Sequence, residues 1–288
     1  MVSFSRKHVA KLAHRGLLAG IFLVMGLPEV PAILAQGAAP QASSPLILRS
    51  TIENLVRGFI PAGIKKLTDK PIRFLIDTEV HNDHTFGHYV FSPPAVVINH
   101  EGAGEGMKKN FDPKRIETLK AQSPEMSEAV KNYKFIPPQI EYKDKMTINL
   151  GERTFELLYL KNVHSEADTA IWLPKERVLF AASAANVKSI INLRPFVTIP
   201  DILASYKLMK SLNPEVVVPG HGPVSTTKIF DEYEGFYTLL LKRVTEMANQ
   251  GKSLDEIKKE LKMPEYADWA GQDRLGVNID VAYKSVTK

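Results

Sequence analysis

The chain has no cysteine among its 288 residues. That excludes disulfides, thiolate metal ligands and lipid attachment at a cysteine, so any bound metal must sit on nitrogen and oxygen donors. Long apolar runs are lacking too. The uncharged stretch Gly16 to Leu27 spans 12 residues, well short of the roughly 20 a membrane-crossing helix needs. No repeat at a fixed period is present, which excludes solenoid and propeller architectures.

That apolar stretch follows Arg6, Lys7, Lys11 and Arg15, with no twin-arginine pair, and precedes Pro28, Pro31 and the small residues around Ala35 and Ala38. The order of basic, apolar and small residues reads as a signal peptide over residues 1–35. A flexible spacer is expected over 36–45 and one folded domain over 46–288. The expected compartment is therefore periplasmic or secreted, with no stable membrane insertion once the leader is cleaved. Removing the leader takes four Lys/Arg from 37 and one acid from 32, leaving 33 and 31, a net charge of +2. So small a charge argues against nucleic acid as a partner.

Beyond the spacer, short apolar runs alternate with amphipathic segments. Strands are expected at Arg73 to Thr78, Ala95 to Asn99, Lys145 to Leu150, Thr154 to Leu160, Thr169 to Leu173, Arg177 to Ala181 and Glu215 to Val218. The turn Leu150-Gly151-Glu152-Arg153 reads as a hairpin. Helices are expected over 113–133, broken at Pro124, over Asp201 to Leu212 with an Asp N-cap, and over most of 226–262, with a final amphipathic segment over 275–285. The mixture argues for an α+β or α/β fold.

Outside the leader there are six histidines: 81, 84, 88, 100, 164 and 221. Three apolar strands end in polar loops that carry them. Phe74-Leu75-Ile76 leads to Glu79-Val80-His81-Asn82-Asp83-His84, Leu157 to Leu160 leads to His164, and Val216 to Val218 leads to His221. Strand ends at one sheet edge are where distant segments converge on a site. Imidazoles and carboxylates at tight spacing, with no thiol, suit zinc or a similar divalent ion. Alternation along an extended segment would put Glu79, His81 and Asp83 on one side.

The Glu79–His84 segment resembles the H-x-H-x-D-H signature of the metallo-β-lactamase superfamily. Three further blocks, His164-Ser165-Glu166-Ala167-Asp168, Val178-Leu179-Phe180-Ala181 and Val218-Pro219-Gly220-His221-Gly222-Pro223, resemble that family's later motifs in the same order. The resemblance implies a four-layer αββα sandwich and one or two Zn2+ ions per chain. It assigns Glu79, His81 and His164 to a first metal, and Asp83, His84 and His221 to a second. It further implies a metal-held hydroxide attacking a carbonyl, oriented by Asp83, with Asp168 fixing the ligands from behind.

The family pattern is not followed throughout. Glu79 stands where histidine is usual, and Ser183 stands where an aspartate usually bridges two metals. Both features resemble the third subclass of true metallo-β-lactamases. They point to a small-molecule carbonyl substrate, with a β-lactam amide the best single expectation. A lactone or ester hydrolase of the same fold, or a non-catalytic metal-binding relative, is the alternative. The region before Arg73 is short for the family, so a shortened N-terminal half-sheet is expected, with an exposed edge that invites homo-oligomers. His88 is read as opening a helix behind the site, and His100 as near the site without belonging to it. Lys188 and Arg194 are read as surface cations, each able to hold a substrate carboxylate. Trp172 and the aromatics of 230–237 are read as core, and Lys252 to Lys262 as a solvated helix face.

Overall fold

The computed structural model describes residues 22–24 and 70–287. The expected spacer, the start of the expected domain and all of the expected signal peptide except Phe22–Val24 lie outside the described residues. Among the described residues, nine strands form two sheets. The first contains β1 (Phe22–Val24), β2 (Phe74–Ile76), β3 (Val96–His100) and β4 (Ile140–Tyr142), in that order. The second runs in chain order from β5 (Lys145–Leu150) through β6 (Arg153–Tyr159), β7 (Thr169–Leu173) and β8 (Val178–Phe180) to β9 (Val216–Val218). β1 pairs antiparallel with β2, whereas β2, β3 and β4 are mutually parallel. β5 to β8 form an antiparallel meander, and β9 joins β8 in parallel.

The two-residue period of the strands explains the layering. Ile76, Ile98, Tyr142, Phe155, Leu157, Ile171, Phe180 and Val218 point between the sheets and form one core. Their alternates on the first sheet, Leu75 and Val97, pack outward with Phe91 and Ala95. On the second sheet the alternates Leu158, Ala170, Trp172, Leu179 and Val217 pack outward into the largest core, beneath the C-terminal helices. The result is an αββα sandwich.

The helices before the second sheet are α1 (Asn82–Thr85), α2 (His88–Phe91), α3 (Ala103–Asn110), α4 (Lys114–Lys120) and α5 (Pro124–Val130). Those on its outer face are α6 (Ile199–Ser211), α7 (Lys228–Asn249), α8 (Leu254–Glu260) and α9 (Leu275–Val286). The expected break near Pro124 is present: Ser123 caps α5 by accepting from Met126 N. The Asp N-cap expected for α6 is not. Thr198 takes that place, accepting from Asp201 N at 3.2 Å and donating to its Oδ2 at 2.7 Å. Pro200 sits in the first turn, where a missing N–H costs nothing. Four elements have no sequence-based expectation, β1, β4, α1 and α3. Trp172, Phe230, Tyr233, Phe236 and Tyr237 are core residues, as expected. No described helix is long and apolar enough to cross a membrane.

Candidate metal centre

Side chains from four segments meet beyond the ends of β2, β6, β8 and β9. After Ile76 the chain runs through buried Asp77 and Thr78 to Glu79, whose side chain is 1% exposed. Thr78 O accepts from Thr169 N at 2.9 Å, which ties the first sheet to the second beside the site. The chain does not stay extended past His81. His84 N and Thr85 N both turn back to His81 O, at 2.9 and 3.1 Å, and α1 begins. The expected single side for Glu79, His81 and Asp83 is therefore wrong for Asp83: the helical turn carries Asp83 and His84 to the neighbouring position.

Two triads result. Ligand atoms of Glu79, His81 and His164 lie within 4.8 Å of one another, and so do those of Asp83, His84 and His221. Glu79 joins them. Its Oε2 meets His81 Nδ1 and lies 3.7 Å from His164 Nε2, while its Oε1 lies 2.8 Å from His84 Nε2. Asp83 Oδ2 is 3.4 Å from Nε2 of both His84 and His221. Ser183 Oγ donates to Glu79 Oε1 and lies 3.4 Å from His84 Nε2. The serine is thus at the junction of the triads, hydrogen-bonded rather than free.

The backbone around these groups is closely constrained. Gly220 N donates to Ala182 O at 2.7 Å, and a Cβ on Gly220 would stand 2.7 Å from Ser183 N. Only glycine allows the His221 loop to cross the Ser183 loop so closely. His221 N donates to Asn186 Oδ1 at 2.9 Å. Buried Asp168 accepts from Val163 N at 2.8 Å, Ser165 N at 2.9 Å, Ser165 Oγ at 2.7 Å and His164 N. One carboxylate therefore sets the whole His164 turn.

Charge in this cluster is strongly coupled. Burial alone would raise the Glu79 carboxyl, but the neighbouring His84 and His164 and the bonds from His81 and His84 hold it well below its ordinary value. Burial works against a charged His84 too; Glu79 and Asp83 outweigh it and lift the imidazole to about 9. Asp83 is lowered to about 2, against its own burial, by His221 and His84. Burial dominates at His164 and drops it to about 4, so that ring is neutral and has a lone pair to give. For Asp168, burial and the nearby Glu79 push the carboxyl up to about 7, opposed by the donors from Ser165 and His164. Without a metal, the proton on His84 balances part of the carboxylate charge.

The donor set fits a divalent cation. Four imidazoles and two carboxylates converge with no thiol, the set that zinc accepts. The Nδ1 atoms of His84 and His164 are buried without a hydrogen-bond partner, so the polar contacts of both rings are made through Nε2, toward the centre.

Several other residues surround the centre. His88 is buried behind it, with Nε2 2.9 Å from both carboxylate oxygens of Asp77 and Nδ1 2.7 Å from Ile136 O. Both partners are acceptors, so the ring donates from both nitrogens as an imidazolium does, and Asp77 raises it against its burial. Asn99 Nδ2 reaches Asp77 Oδ2 at 3.4 Å and Glu79 O at 3.2 Å. Asp77 and Asn99 were missed from sequence; a buried acid directly after a strand was the available signal. His100 stacks on Tyr159 at 3.8 Å and joins neither triad. Lys188 is on the surface, paired with Asp268. Arg194 corrects the surface expectation: it is half-buried, and its Nη2 donates to His81 Nε2 at 2.8 Å.

Residues 43–221 match the model of the metallo-beta-lactamase superfamily. The chain belongs to that superfamily. Its members are mostly hydrolases and typically bind metals. Among curated proteins, the chain is 23% identical over 153 residues to the 2,4-dinitroanisole O-demethylase subunit alpha of Nocardioides sp. (strain JS1661), covering 53% of this chain and 41% of that one. Among solved structures, it is similar to the stereoselective inverting sec-alkylsulfatase Pisa1 from Pseudomonas sp., with a TM-score of 0.61 at 15% identity over 80% of this chain and 44% of that one. A metallo-beta-lactamase family protein from Thermus thermophilus aligns with a TM-score of 0.49 at 18% identity, over 72% of this chain and 74% of that one. The chain spans less than half the length of the O-demethylase subunit and of the sulfatase.

Proposed function

We propose that this protein is a zinc-dependent hydrolase of a small carbonyl substrate, with a β-lactam amide as the first substrate to test. The observation that carries this reading is the abutment of two nitrogen and oxygen triads, joined through Glu79 and His84 at 2.8 Å. Zinc bound there would lower the pKa of a coordinated water from near 16 to roughly 7 and polarise the scissile carbonyl. Glu79, His81 and His164 would hold one ion; Asp83, His84 and His221 would hold the other. Asp83, lowered to about 2, is too weak a base to store a proton near neutral pH. Its role is to accept a hydrogen bond from the attacking water and aim it. Ser183 spends its proton on Glu79, keeping that carboxylate turned toward the centre. The absence of a bridging aspartate at this position favours amide over thioester substrates.

A second reading is cleavage at an ester or lactone oxygen, in keeping with the sulfate-ester chemistry in the name of one structural relative. Zinc content and turnover of a chromogenic cephalosporin and a lactone panel separate the two. The first reading expects two zincs and cephalosporin turnover that falls at least a hundredfold in His164→Ala. Lactone opening alone would favour the second. Less than one zinc per chain, with zinc in excess at neutral pH, would sink both.

A further inference from the structure

His221 is the most exposed imidazole of the two triads. Its ring meets Asp83 Oδ2 at 3.4 Å and the edge of the His84 ring, with 5.5 Å between centroids. Contacts this loose do not fix a ligand, so the backbone beneath the ring must. That backbone is tied to one segment, 182–187. Gly220 N donates to Ala182 O at 2.7 Å, His221 N donates to Asn186 Oδ1 at 2.9 Å, and His221 O accepts from Val187 N at 3.1 Å. A Cβ on Gly222 would stand 2.9 Å from Val187 Cβ, so the crossing is as close after His221 as before it.

Segment 182–189 is itself held from the outer helix layer. Ala182 and Lys188 both have left-handed backbones, with φ of 54° and 46°. Residues other than glycine keep such conformations only where their surroundings impose them. Two fully buried tyrosines anchor the segment between these positions. Tyr206 of α6 donates its hydroxyl to Ala184 O at 2.8 Å. The Tyr233 hydroxyl of α7 accepts from Asn186 N at 3.3 Å, and its single hydrogen has Asn186 O, at 2.8 Å, and Ser189 O as acceptors. Burial raises this phenol above its ordinary value, so it keeps that hydrogen at neutral pH. One hydroxyl therefore grips both the N–H and the C=O of Asn186, and Asn186 presents Oδ1 to His221.

We propose that Tyr233 is a positioning residue for the second metal position, acting through Asn186 to hold His221 where it can ligate. The inference rests on the metal-centre reading above. It adds that the more exposed triad is set by the outer helix layer rather than by contacts among its own side chains. In the first triad, His164 and Glu79 are held instead by Asp168 and Asn99. Tyr237, one turn further along α7, supplies an internal control: it is fully buried too, but its hydroxyl has no hydrogen-bond partner.

The test uses the full chain as wild type, Tyr233→Phe, Asn186→Ala, the double variant and Tyr237→Phe. In the chelated proteins, exchange of the His221 amide hydrogen should quicken about tenfold in Y233F and N186A, the scale of one lost hydrogen bond. It should keep the wild-type rate in Y237F. In a chelator competition for zinc, the weaker binding phase, that of the more exposed second triad, should lose about tenfold in affinity in Y233F and N186A. The tighter phase should not change. The double variant should bind zinc as N186A does, because the tyrosine acts through the asparagine. N186A lies outside the helix core and tests the same link should Y233F not fold. Equal weakening of both phases in Y233F, additive losses in the double variant, or the same response in Y237F overturns the proposal while leaving the centre intact. A wild-type chain that takes up no zinc overturns the centre, and the proposal with it.

Discussion

The two triads contain similar donors but are held differently. In the first, Glu79, His81 and His164 are 1%, 16% and 14% exposed, and Asp168, Asn99, Ser183 and Arg194 brace them from several sides. In the second, His84 is buried, but Asp83 and His221 are 42% and 33% exposed and meet only at 3.4 Å. Enclosure of the first triad puts its ligands in place before an ion arrives, whereas the second must still gather Asp83 and His221. The first position should therefore hold its metal more tightly, and the second should exchange it.

Glu79→Gln should produce the largest disturbance of that contrast. The carboxylate lies within 3.7 Å of His81, His84 and His164 and accepts from Ser183, so neutralising it leaves the cluster short of one negative charge. Zinc content should fall from two to less than one per chain, read by elemental analysis after gel filtration. Retention of both ions would show that the triads are independent of Glu79. Asp168→Asn comes next. It keeps the volume but replaces an acceptor-only group with one that carries donors, against three backbone N–H groups. Loss of such a support costs roughly 10- to 100-fold in metal affinity, and only the tighter of the two binding phases should weaken in a chelator competition. A change confined to the weaker phase would reverse the assignment of the two positions.

Ionisation supplies the smallest effect, and the sign is set by His84. In the metal-free chain its imidazole is raised to about 9, so the stabilising proton is fully present below the unfolded value near 6.5 and is lost as pH rises through 9. The melting temperature of the chelated protein should decline across that window. Zinc competes with the same proton, so zinc affinity should rise across it. Parallel trends, both rising or both falling, would show that His84 does not occupy the metal position.

Strand periodicity and polar strand ends are local signals, and they made the mixed α and β character and the histidine-bearing loops legible. The αββα sandwich and the division of six donors between two metals were implied by the resemblance of four blocks to the metallo-β-lactamase superfamily. Leu75 and Ile76 already declare opposite faces, and three strands ending in histidine loops already declare one edge. What was not legible depends on tertiary contact. The helix Ala103–Asn110 contains Gly104 and Gly106, poor helix formers, yet buries Ala103 and Met107 with Val80. The strand Ile140–Tyr142 is three residues long and is defined by its pairing with β3. The turn at Asn82 breaks the alternation that assigned Asp83 to the Glu79 side. Arg194 was visible as a cation beyond Ser183, but its contact with His81 spans 113 positions, and no local pattern reports such a pairing.

The most direct test of the central claim is an anomalous-difference map, at the zinc edge, of crystals grown with excess zinc. The account predicts two peaks, one ligated by Glu79, His81 and His164 and the other by Asp83, His84 and His221, with the first at higher occupancy. No peak among the six side chains, or a single ion bound elsewhere, would contradict it.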